Sequence, residues 1–176
     1  MKTTLISRKM NAALNQQIGN EFGASLQYVA MASHFAGEGL TELAGLFYQQ
    51  AQEERDHAMR FVKFVVDAGG TVEIPAIPAP KSKFSSVEEA VKLALTWEKE
   101  VTSQINRLVE QSMAESDHIT QNLLNWFVSE QLEEVSSMDN LLKVVQRAEK
   151  TNLLYVEDYV ARHRGGGKAA TSGAED

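Results

Sequence analysis

Proline occurs in this 176-residue chain only between residues 75 and 80, where all three prolines of the sequence lie. Proline interrupts a helix because it has no amide hydrogen and because its ring clashes with the preceding turn. The chain on either side of this segment, residues 1–74 and 81–176, can therefore form long uninterrupted helices. Residues 71–84 cannot be helical throughout, and we expect them to form an extended connection.

Both proline-free stretches carry apolar residues at three- and four-residue steps, the spacing of an amphipathic helix. Cap residues and glycines divide them into four long helices and one short helix. The expected bounds are Ser7 to about Gly37, about Thr41 to Gly69, Ser85 or Ser86 to about Ala114, about Asp117 to Glu149, and 152–162. The inner face of the third helix is expected to include Leu108 and Met113. We expect one folded domain, 1–163, and a flexible tail, 164–176, because the last residues are small and polar.

The links between the helices indicate how they pack. Short links join the first helix to the second and the third to the fourth, so each pair is expected to form an antiparallel hairpin. Helices of roughly 27–32 residues are ~40–48 Å long, and about 14 extended residues span ~46 Å. The connection can therefore run the length of a bundle and place the second and third helices parallel. We predict an all-α four-helix bundle with one long crossover and a short fifth C-terminal helix.

The composition excludes several classes of protein and site. The absence of Cys excludes disulfides, thiolate zinc sites, iron–sulfur clusters and thiol catalysis. The formal net charge of -7 argues against a nucleic-acid-binding protein, which needs a basic face, and favours cations as partners. The sequence contains neither a secretory signal nor an apolar run of membrane-spanning length. We therefore expect a soluble cytoplasmic protein that binds no nucleic acid and no membrane.

Acidic residues lie near the middle of each long helix, on its otherwise apolar face. The first helix carries Glu21, two turns before Tyr28 on the same face. The second helix carries Glu54 and His57 at an i, i+3 step. The other polar candidates are Glu53, Glu98, Glu130, Gln131, Glu133 and Glu134. Taken singly, each is more typical of a solvated face, a salt bridge or a core hydrogen bond. Together they would be costly to bury as free charges, and a bound polyvalent cation removes that cost.

The types of ligand atom indicate which cation such a site would bind. Carboxylates with one imidazole and no thiol form a hard-to-intermediate ligand set. Zinc would more commonly recruit further histidines, and calcium would recruit loop carbonyls. One shared histidine with bridging glutamates fits a pair of iron ions, because glutamate oxygens can bridge two metals through oxidation from Fe(II) to Fe(III).

Four segments of the chain carry a resemblance to a known family: NEFGASLQY (20–28), QEERDHA (52–58), LTWEKEV (95–101) and WFVSEQLEEV (126–135). Together they resemble the ferritin family, specifically its non-haem bacterial members, over about residues 5–163. The resemblance implies a ferritin-like fold and a ferroxidase, in which a diiron centre within each subunit oxidises Fe(II) with dioxygen. It also implies a homo-oligomer, a 24-subunit shell that stores the ferric mineral in its hollow.

The resemblance also implies a role for each candidate residue. The first iron would be held by Glu21, Glu54 and His57. The second iron would be held by Glu98 and Glu134, with Glu54 as a bridge. A third, weaker iron site would use Glu53, Glu130 and Glu133, and would share Glu134. Beside the centre, Tyr28 would supply an electron or a hydrogen bond, and Gln131 would be a hydrogen-bonding neighbour.

The chain departs from the patterns of two related groups. Bacterioferritins carry a haem-ligating Met directly after the glutamate of the second helix, whereas this chain has Arg55 there, and Met59 is expected to lie in the core. Haem is therefore not predicted. Animal ferritins line their access channels with acids at two positions where this chain has Gln121 and Leu124. The route of iron into a shell therefore stays open.

Two other functions stay open at this point. A non-enzymatic helical scaffold would keep the bundle without the metal centre, with its acids solvated or paired with Lys and Arg. A DNA-protecting miniferritin would place its site between subunits and would lack a fifth helix. The acids within one chain and the expected helix at 152–162 favour the ferroxidase over the miniferritin.

Overall fold

The structure of the chain, a computed structural model, describes residues 4–148 and 152–163. These residues form five α-helices and no strand, which confirms the prediction of an all-α protein. The helices are α1 (Arg8–Gly37), α2 (Thr41–Asp67), α3 (Val87–Ala114), α4 (His118–Ala148) and α5 (Leu153–His163). The expected last residue of the fourth helix, Glu149, and the expected tail, 164–176, lie outside the described residues. Within the described part, no helix is long and apolar enough to cross a membrane.

Local capping chemistry determines where three of the helices begin. Ser7 Oγ accepts a hydrogen bond from the backbone nitrogen three residues further on, at 2.9 Å. Ser86 Oγ and Asp117 Oδ1 accept the equivalent bonds at 3.1 and 3.0 Å. These side chains satisfy amide hydrogens that have no carbonyl partner in the first turn of a helix. The starts of α1, α3 and α4 are therefore encoded within a few residues.

The second helix takes its cap from another helix. Its N-cap residue, Leu40, makes no side-chain capping bond. Instead, the Glu157 carboxylate of α5 accepts hydrogen bonds from the backbone nitrogens of Glu42 and Leu43, both at 2.9 Å. A carboxylate at a helix N-terminus is also favoured by the helix dipole. This contact docks α5 onto the start of α2.

Contacts between the helices give the topology of the bundle. α1 packs on α2, α3 packs on α4, and α1 also contacts α3. Hydrogen bonds between α1 and α3 join Tyr28 to Glu98 and Asn20 to Gln104. These pairs run in opposite directions along the two helices, so α1 and α3 are antiparallel. Since α1 is also antiparallel to α2, the second and third helices are parallel, as the length of the crossover predicted.

Polar side chains of α1 hold the crossover between α2 and α3. Asn15 donates to the carbonyl of Thr71 at 2.8 Å and accepts from the backbone nitrogen of Glu73 at 2.6 Å. About three turns further along α1, Gln27 donates to the carbonyl of Lys81 and accepts from its backbone nitrogen, both at 2.9 Å. These bonds satisfy backbone groups that an extended segment leaves without a helical partner.

Between those two side chains, α1 presents glycine to the crossover. A Cβ atom on Gly19 would lie 2.4 Å from Pro75 Cγ, and one on Gly23 would lie 3.6 Å from a methyl group of Ile77. The absence of a side chain at Gly19 therefore lets the proline approach the helix backbone closely. The crossover therefore packs directly against α1.

The core of the bundle consists of two apolar clusters with a polar layer between them. In one cluster, Phe35 and Phe47 pack edge to face with ring centroids 4.9 Å apart. In the other, Phe61 and Phe127 stack with centroids 4.1 Å apart. The layer between the clusters contains the buried polar residues Glu21, Glu54, His57, Glu98, Gln131 and Glu134. Apolar packing on both sides therefore shields these polar side chains from water.

Two methionines that were predicted to be buried are exposed in the structure. Met113, expected on the inner face of α3, is 61% exposed, and Ser112 is buried instead. Ser112 lies four residues after Leu108 and therefore on the same, buried face of α3. Met113 lies five residues after Leu108 and therefore off that face. Met59, expected in the core, is 44% exposed, because it lies about 200° around α2 from the buried His57.

Candidate metal centre

The six residues of the polar layer come from the middle of the four long helices. All of them were predicted at or beside a metal site, and each is at most 5% exposed. Each shares its helix face with apolar residues three or four positions away, such as Ile18 before Glu21 and Phe61 after His57. Burial of these apolar neighbours carries the polar side chains into the interior.

One group of potential metal ligands joins α1 to α2 and consists of Glu21, Glu54 and His57. A carboxylate oxygen of each glutamate and a ring nitrogen of the histidine all lie within 4.8 Å of one another. His57 Nδ1 lies 3.4 Å from Glu54 Oε2, across the i, i+3 step seen in the sequence. We call this group triad A.

A second group joins α2 to α4 and consists of His57, Glu130 and Glu134, whose ligand atoms also lie within 4.8 Å of one another. We call it triad B. His57 Nε2 lies 3.9 Å from Glu130 Oε1, so the two ring nitrogens of the shared histidine face different carboxylates. Among the described residues, neither triad includes Glu98, which the resemblance assigned to the second iron.

Aromatic packing sets the orientation of the His57 ring. The imidazole lies edge to face against Trp126 and Phe127, with ring centroids 5.5 and 5.7 Å away. The Arg60 guanidinium lies 4.0 Å from the centre of the Trp126 ring, a favourable cation–π geometry. These ring contacts orient the histidine without using its nitrogens.

Amide donors hold one oxygen in each of two buried carboxylates. Gln17 Nε2 donates to Glu21 Oε1 at 2.8 Å, within α1. Gln50 Nε2 of α2 donates to Glu134 Oε2 of α4 at 2.7 Å. Because the donors are neutral, they orient the carboxylates and leave their negative charge available to a cation.

Glu98 is oriented by a phenol. The Tyr28 hydroxyl donates a hydrogen bond to Glu98 Oε1, one of the two roles that the resemblance implied for this tyrosine. The other oxygen of Glu98, one oxygen of Glu21 and one of Glu54 are buried and have no hydrogen-bond partner in the described part of the chain. A buried acceptor without a partner costs about 1–3 kcal/mol, and more if it is charged. Cations bound in the layer would remove this cost.

Burial raises the pKa values of the carboxyls in this layer. The pKa of Glu98 and that of Glu134 are each raised to about 7, chiefly by burial. The pKa values of Glu21 and Glu54 are raised well above their usual range, by burial first and then by neighbouring carboxylates. Near pH 7 the metal-free layer therefore holds protons that a bound cation would displace.

Of the three glutamates expected at a third iron site, one belongs to triad B and the other two share a cavity with its Glu134. The Glu130 side chain, a member of that triad, is 12% exposed. Glu53 is half-buried and Glu133 is exposed, and both line a cavity of about 240 Å³ that also contacts Glu134. Glu53 and Glu133 line the cavity that α2 and α4 form with α5, and Glu53 and Glu130 line a second cavity between α2 and α4. The assignment of the three glutamates to a third iron stays a prediction.

Two amide donors to the buried carboxylates, Gln17 and Gln50, were not predicted from the sequence. Gln131, expected as a hydrogen-bonding neighbour, accepts a bond from Thr102 Oγ1 of α3 at 3.0 Å. A local signal existed for Gln17, which lies four residues before Glu21 on the same helix face. No local signal existed for Gln50, since its acceptor lies on another helix.

The donor set of the layer suits divalent metals of the first transition row. Several carboxylate oxygens and one imidazole, without thiolate, are ligands that such ions accept. The two triads meet at His57, whose neutral ring offers one acceptor nitrogen, so it would bind one ion and the carboxylates would bind a second ion close by. The arrangement can therefore bring two metal ions together within one chain.

Comparisons with known proteins agree with this architecture. Residues 11–148 match the ferritin-like domain family. The chain is 43% identical over 157 residues to the ferritin BfrB of Mycolicibacterium smegmatis, an alignment that covers 89% of this chain and 86% of that protein. It is 36% identical over 153 residues to a bacterial non-heme ferritin of Staphylococcus aureus, which covers 86% of this chain and 92% of that protein.

A solved structure gives the same result for the fold. An open-pore ferritin from Archaeoglobus fulgidus superposes with a TM-score of 0.86 at 35% sequence identity. The superposition covers 89% of this chain and 97% of the archaeal chain. The four-helix bundle with a short fifth helix is therefore the architecture that these proteins share.

Proposed function

The chain belongs to the ferritin family, and from this membership we propose that it stores and detoxifies iron. In this proposal it oxidises Fe(II) to Fe(III) with dioxygen at the polar layer and deposits the ferric product inside a hollow 24-subunit shell of its own copies. The relatives named as ferritins and the archaeal open-pore ferritin support such a multi-subunit assembly.

The bare carboxylate oxygens of the polar layer are the observation that carries the proposed ferroxidase activity. Glu21, Glu54 and Glu98 each present a buried oxygen that has no hydrogen-bond partner among the described residues. A bundle that served only as a scaffold would be at least as stable, in most cases, with well-packed apolar side chains at these positions. Because burying these carboxylates costs free energy, their presence supports a role in binding cations.

The residues of the layer have separate parts in the proposed reaction. Triad A binds one Fe(II), and Glu98 and Glu134 bind the other, with Glu54 between them. Iron binding displaces protons from Glu98 and Glu134, since the pKa of each is about 7. Each Fe(II) gives up one electron, and dioxygen takes up the two electrons and two protons to leave as hydrogen peroxide. Tyr28 occupies one oxygen of Glu98 and so directs the other towards the iron.

Glu53, Glu130 and Glu133 are proposed to bind a third, weaker iron ion that shares Glu134. These glutamates line two cavities along α2 and α4, one of which α5 also lines, and this position supports the assignment. Because Glu133 is exposed and Glu53 is half-buried, iron at this site has a path away from the buried pair. The proposed third site therefore lies between the centre and the protein surface.

Anaerobic Fe(II) binding followed by admission of air tests the proposed function. The wild-type protein should bind two to three Fe(II) per chain, turn blue transiently in air, and then form a yellow-brown mineral inside a soluble particle. Glu54→Ala and His57→Ala should each slow the initial oxidation by tenfold or more, because even indirect partners of metal ligands change activity by about 10–100-fold. Neither substitution should change the particle size.

The matched control is Glu110→Ala, which removes an exposed carboxylate from α3 and should leave the oxidation rate unchanged. Equal rates in the wild type and Glu54→Ala would contradict the assignment of the centre. A wild-type protein that takes up no Fe(II) would favour the scaffold. A particle of about half the expected number of chains would favour the miniferritin.

A further inference from the structure

The two triads of the metal centre have separate hydrogen-bond donors. Gln17 is 2% exposed and holds Glu21, whereas Gln50 is 7% exposed and holds Glu134. Glu21 belongs to triad A alone, and Glu134 belongs to triad B alone. Each triad therefore contains a carboxylate that the other does not share, and each of these two carboxylates has its own buried amide.

The Gln17 amide is itself oriented by a chain of amides that leads away from the centre. Asn20 Nδ2 donates to Gln17 Oε1 at 3.4 Å and to Gln104 Oε1 of α3 at 2.9 Å. The exposed Gln16 donates to Asn20 Oδ1 at 3.1 Å. Because the Gln17 oxygen accepts from Asn20, its amide nitrogen is directed towards Glu21. Neutral hydrogen bonds therefore connect the surface of the bundle to a buried carboxylate.

The Gln50 amide acts from the other side of the layer. Its bond to Glu134 crosses from α2 to α4, and Gln50 also lines the cavity that contains Glu53 and Glu133. Gln17, by contrast, is supported from α3 through Asn20. The two amides therefore depend on different helix contacts, and a change at one of them need not disturb the other.

We propose that Gln17 and Gln50 are positioning residues that do not contact the metal. Gln17 sets the affinity of one of the two buried metal ions through Glu21, and Gln50 sets the affinity of the other through Glu134. The inference rests on the proposed function, since it concerns the same centre. With one carboxylate oxygen anchored, the side chain has little rotamer freedom left to lose when a cation binds to the other oxygen. In metal sites generally, donors of this kind change affinity by about 10–100-fold.

An anaerobic titration of the full-length, metal-free protein with Co(II) tests this inference. Cobalt stands in for Fe(II), and its visible absorption reports binding without any turnover. Gln17→Met and Gln50→Met keep the side-chain length and remove the donor. Gln17→Met should raise one of the two tightest dissociation constants by about 10–100-fold and leave the other within about twofold. Gln50→Met should raise the other constant instead, and the double variant should raise both.

The matched control is Gln52→Met. Gln52 donates to Asp56, four residues further along the helix, at 2.8 Å, but both side chains are exposed. This variant should leave both dissociation constants within about twofold of the wild-type values. If Gln17→Met does not fold, Gln104→Met loosens the same chain of amides from α3. It should raise the same constant by a smaller factor.

Three outcomes would overturn the inference. Unchanged constants in both variants would mean that the amides do not influence the metal. Equal weakening of both binding steps in each variant would mean that the amides only stabilise the layer as a whole. A wild-type protein that binds no cobalt would instead contradict the proposed metal centre, and the inference with it.

Discussion

Glu98→Gln should make the metal-free protein more stable at alkaline pH, relative to its stability at acid pH. Glu98 is fully buried, and its pKa is raised to about 7 chiefly by that burial. Glutamine has nearly the same shape, and its carbonyl oxygen can still accept the hydrogen bond that Tyr28 donates. The substitution therefore removes the cost of ionising a buried carboxyl with little change in packing.

The size of the effect follows from the pKa of this carboxyl in the folded and unfolded chain. Below pH 4.5, its ordinary pKa, the group is protonated in both states and adds no difference. Between pH 4.5 and about 7 the unfolded chain loses the proton and the folded chain keeps it, so the free energy of unfolding falls as the pH rises. One pKa unit corresponds to ~1.4 kcal/mol, so the full cost above pH 7 is about 3 kcal/mol.

Thermal unfolding of the full chain with a chelator, at about pH 4 and about pH 8, measures this cost. For a chain of this size 1 kcal/mol corresponds to ~2–4 °C in Tm. The Tm of the variant minus that of the wild type should therefore rise by about 6–12 °C from acid to alkaline pH. The amide nitrogen that glutamine introduces lowers both Tm values of the variant alike and cancels in this comparison.

The control for this prediction is Glu110→Gln, which neutralises an exposed carboxylate on the same helix. Its Tm difference from the wild type should be the same at both pH values. If Glu98→Gln behaves like this control, the reasoning is refuted. The carboxyl would then ionise in the folded protein as readily as in water, and the polar layer would not be dry.

Two further predictions concern the elements that hold the centre in place. Gly19→Ala should lower the free energy of unfolding in urea by about 1–3 kcal/mol, because its Cβ would lie 2.4 Å from Pro75 Cγ. Gly37→Ala, whose Cβ would meet nothing within 4 Å, should be neutral or stabilising by up to ~1 kcal/mol. If Gly19→Ala and Gly37→Ala changed the free energy of unfolding equally, the close packing of the crossover on α1 would be contradicted. Glu157→Gln should cost about 1 kcal/mol and speed hydrogen exchange at the start of α2, because it weakens the cap of that helix. Unchanged exchange there would contradict the docking of α5.

Most of the fold could be predicted from the sequence because its signals are local. Ser7 and Ser86 satisfy backbone nitrogens only three residues away, and proline excludes a helix at 75–80 through its own ring. The errors at Met59 and Met113 arose where an apolar side chain was assigned to the core without regard to its angle around the helix. The helix period of 3.6 residues would have placed both on the outside.

The candidate site could be predicted only in part. The i, i+3 step of Glu54 and His57 and the position of Glu21 on a buried face are visible in one helix at a time. The hydrogen-bond partners of other buried glutamates are not visible in this way. Gln50 and Glu134 lie on different helices, as do Tyr28 and Glu98. The family resemblance assigned the candidate ligands to three iron sites. The structure adds Glu130 to the surroundings of His57.

By itself, the sequence determined which segments form helices and which helix faces carry acids, because both depend on residues within about four positions of each other. Only the tertiary structure decided that His57 belongs to two groups of potential ligands and that separate amides hold Glu21 and Glu134. It also decided that the pKa of Glu98 is about 7. These properties depend on distances between atoms far apart in the chain and on the exclusion of water by two apolar clusters, which no local pattern encodes.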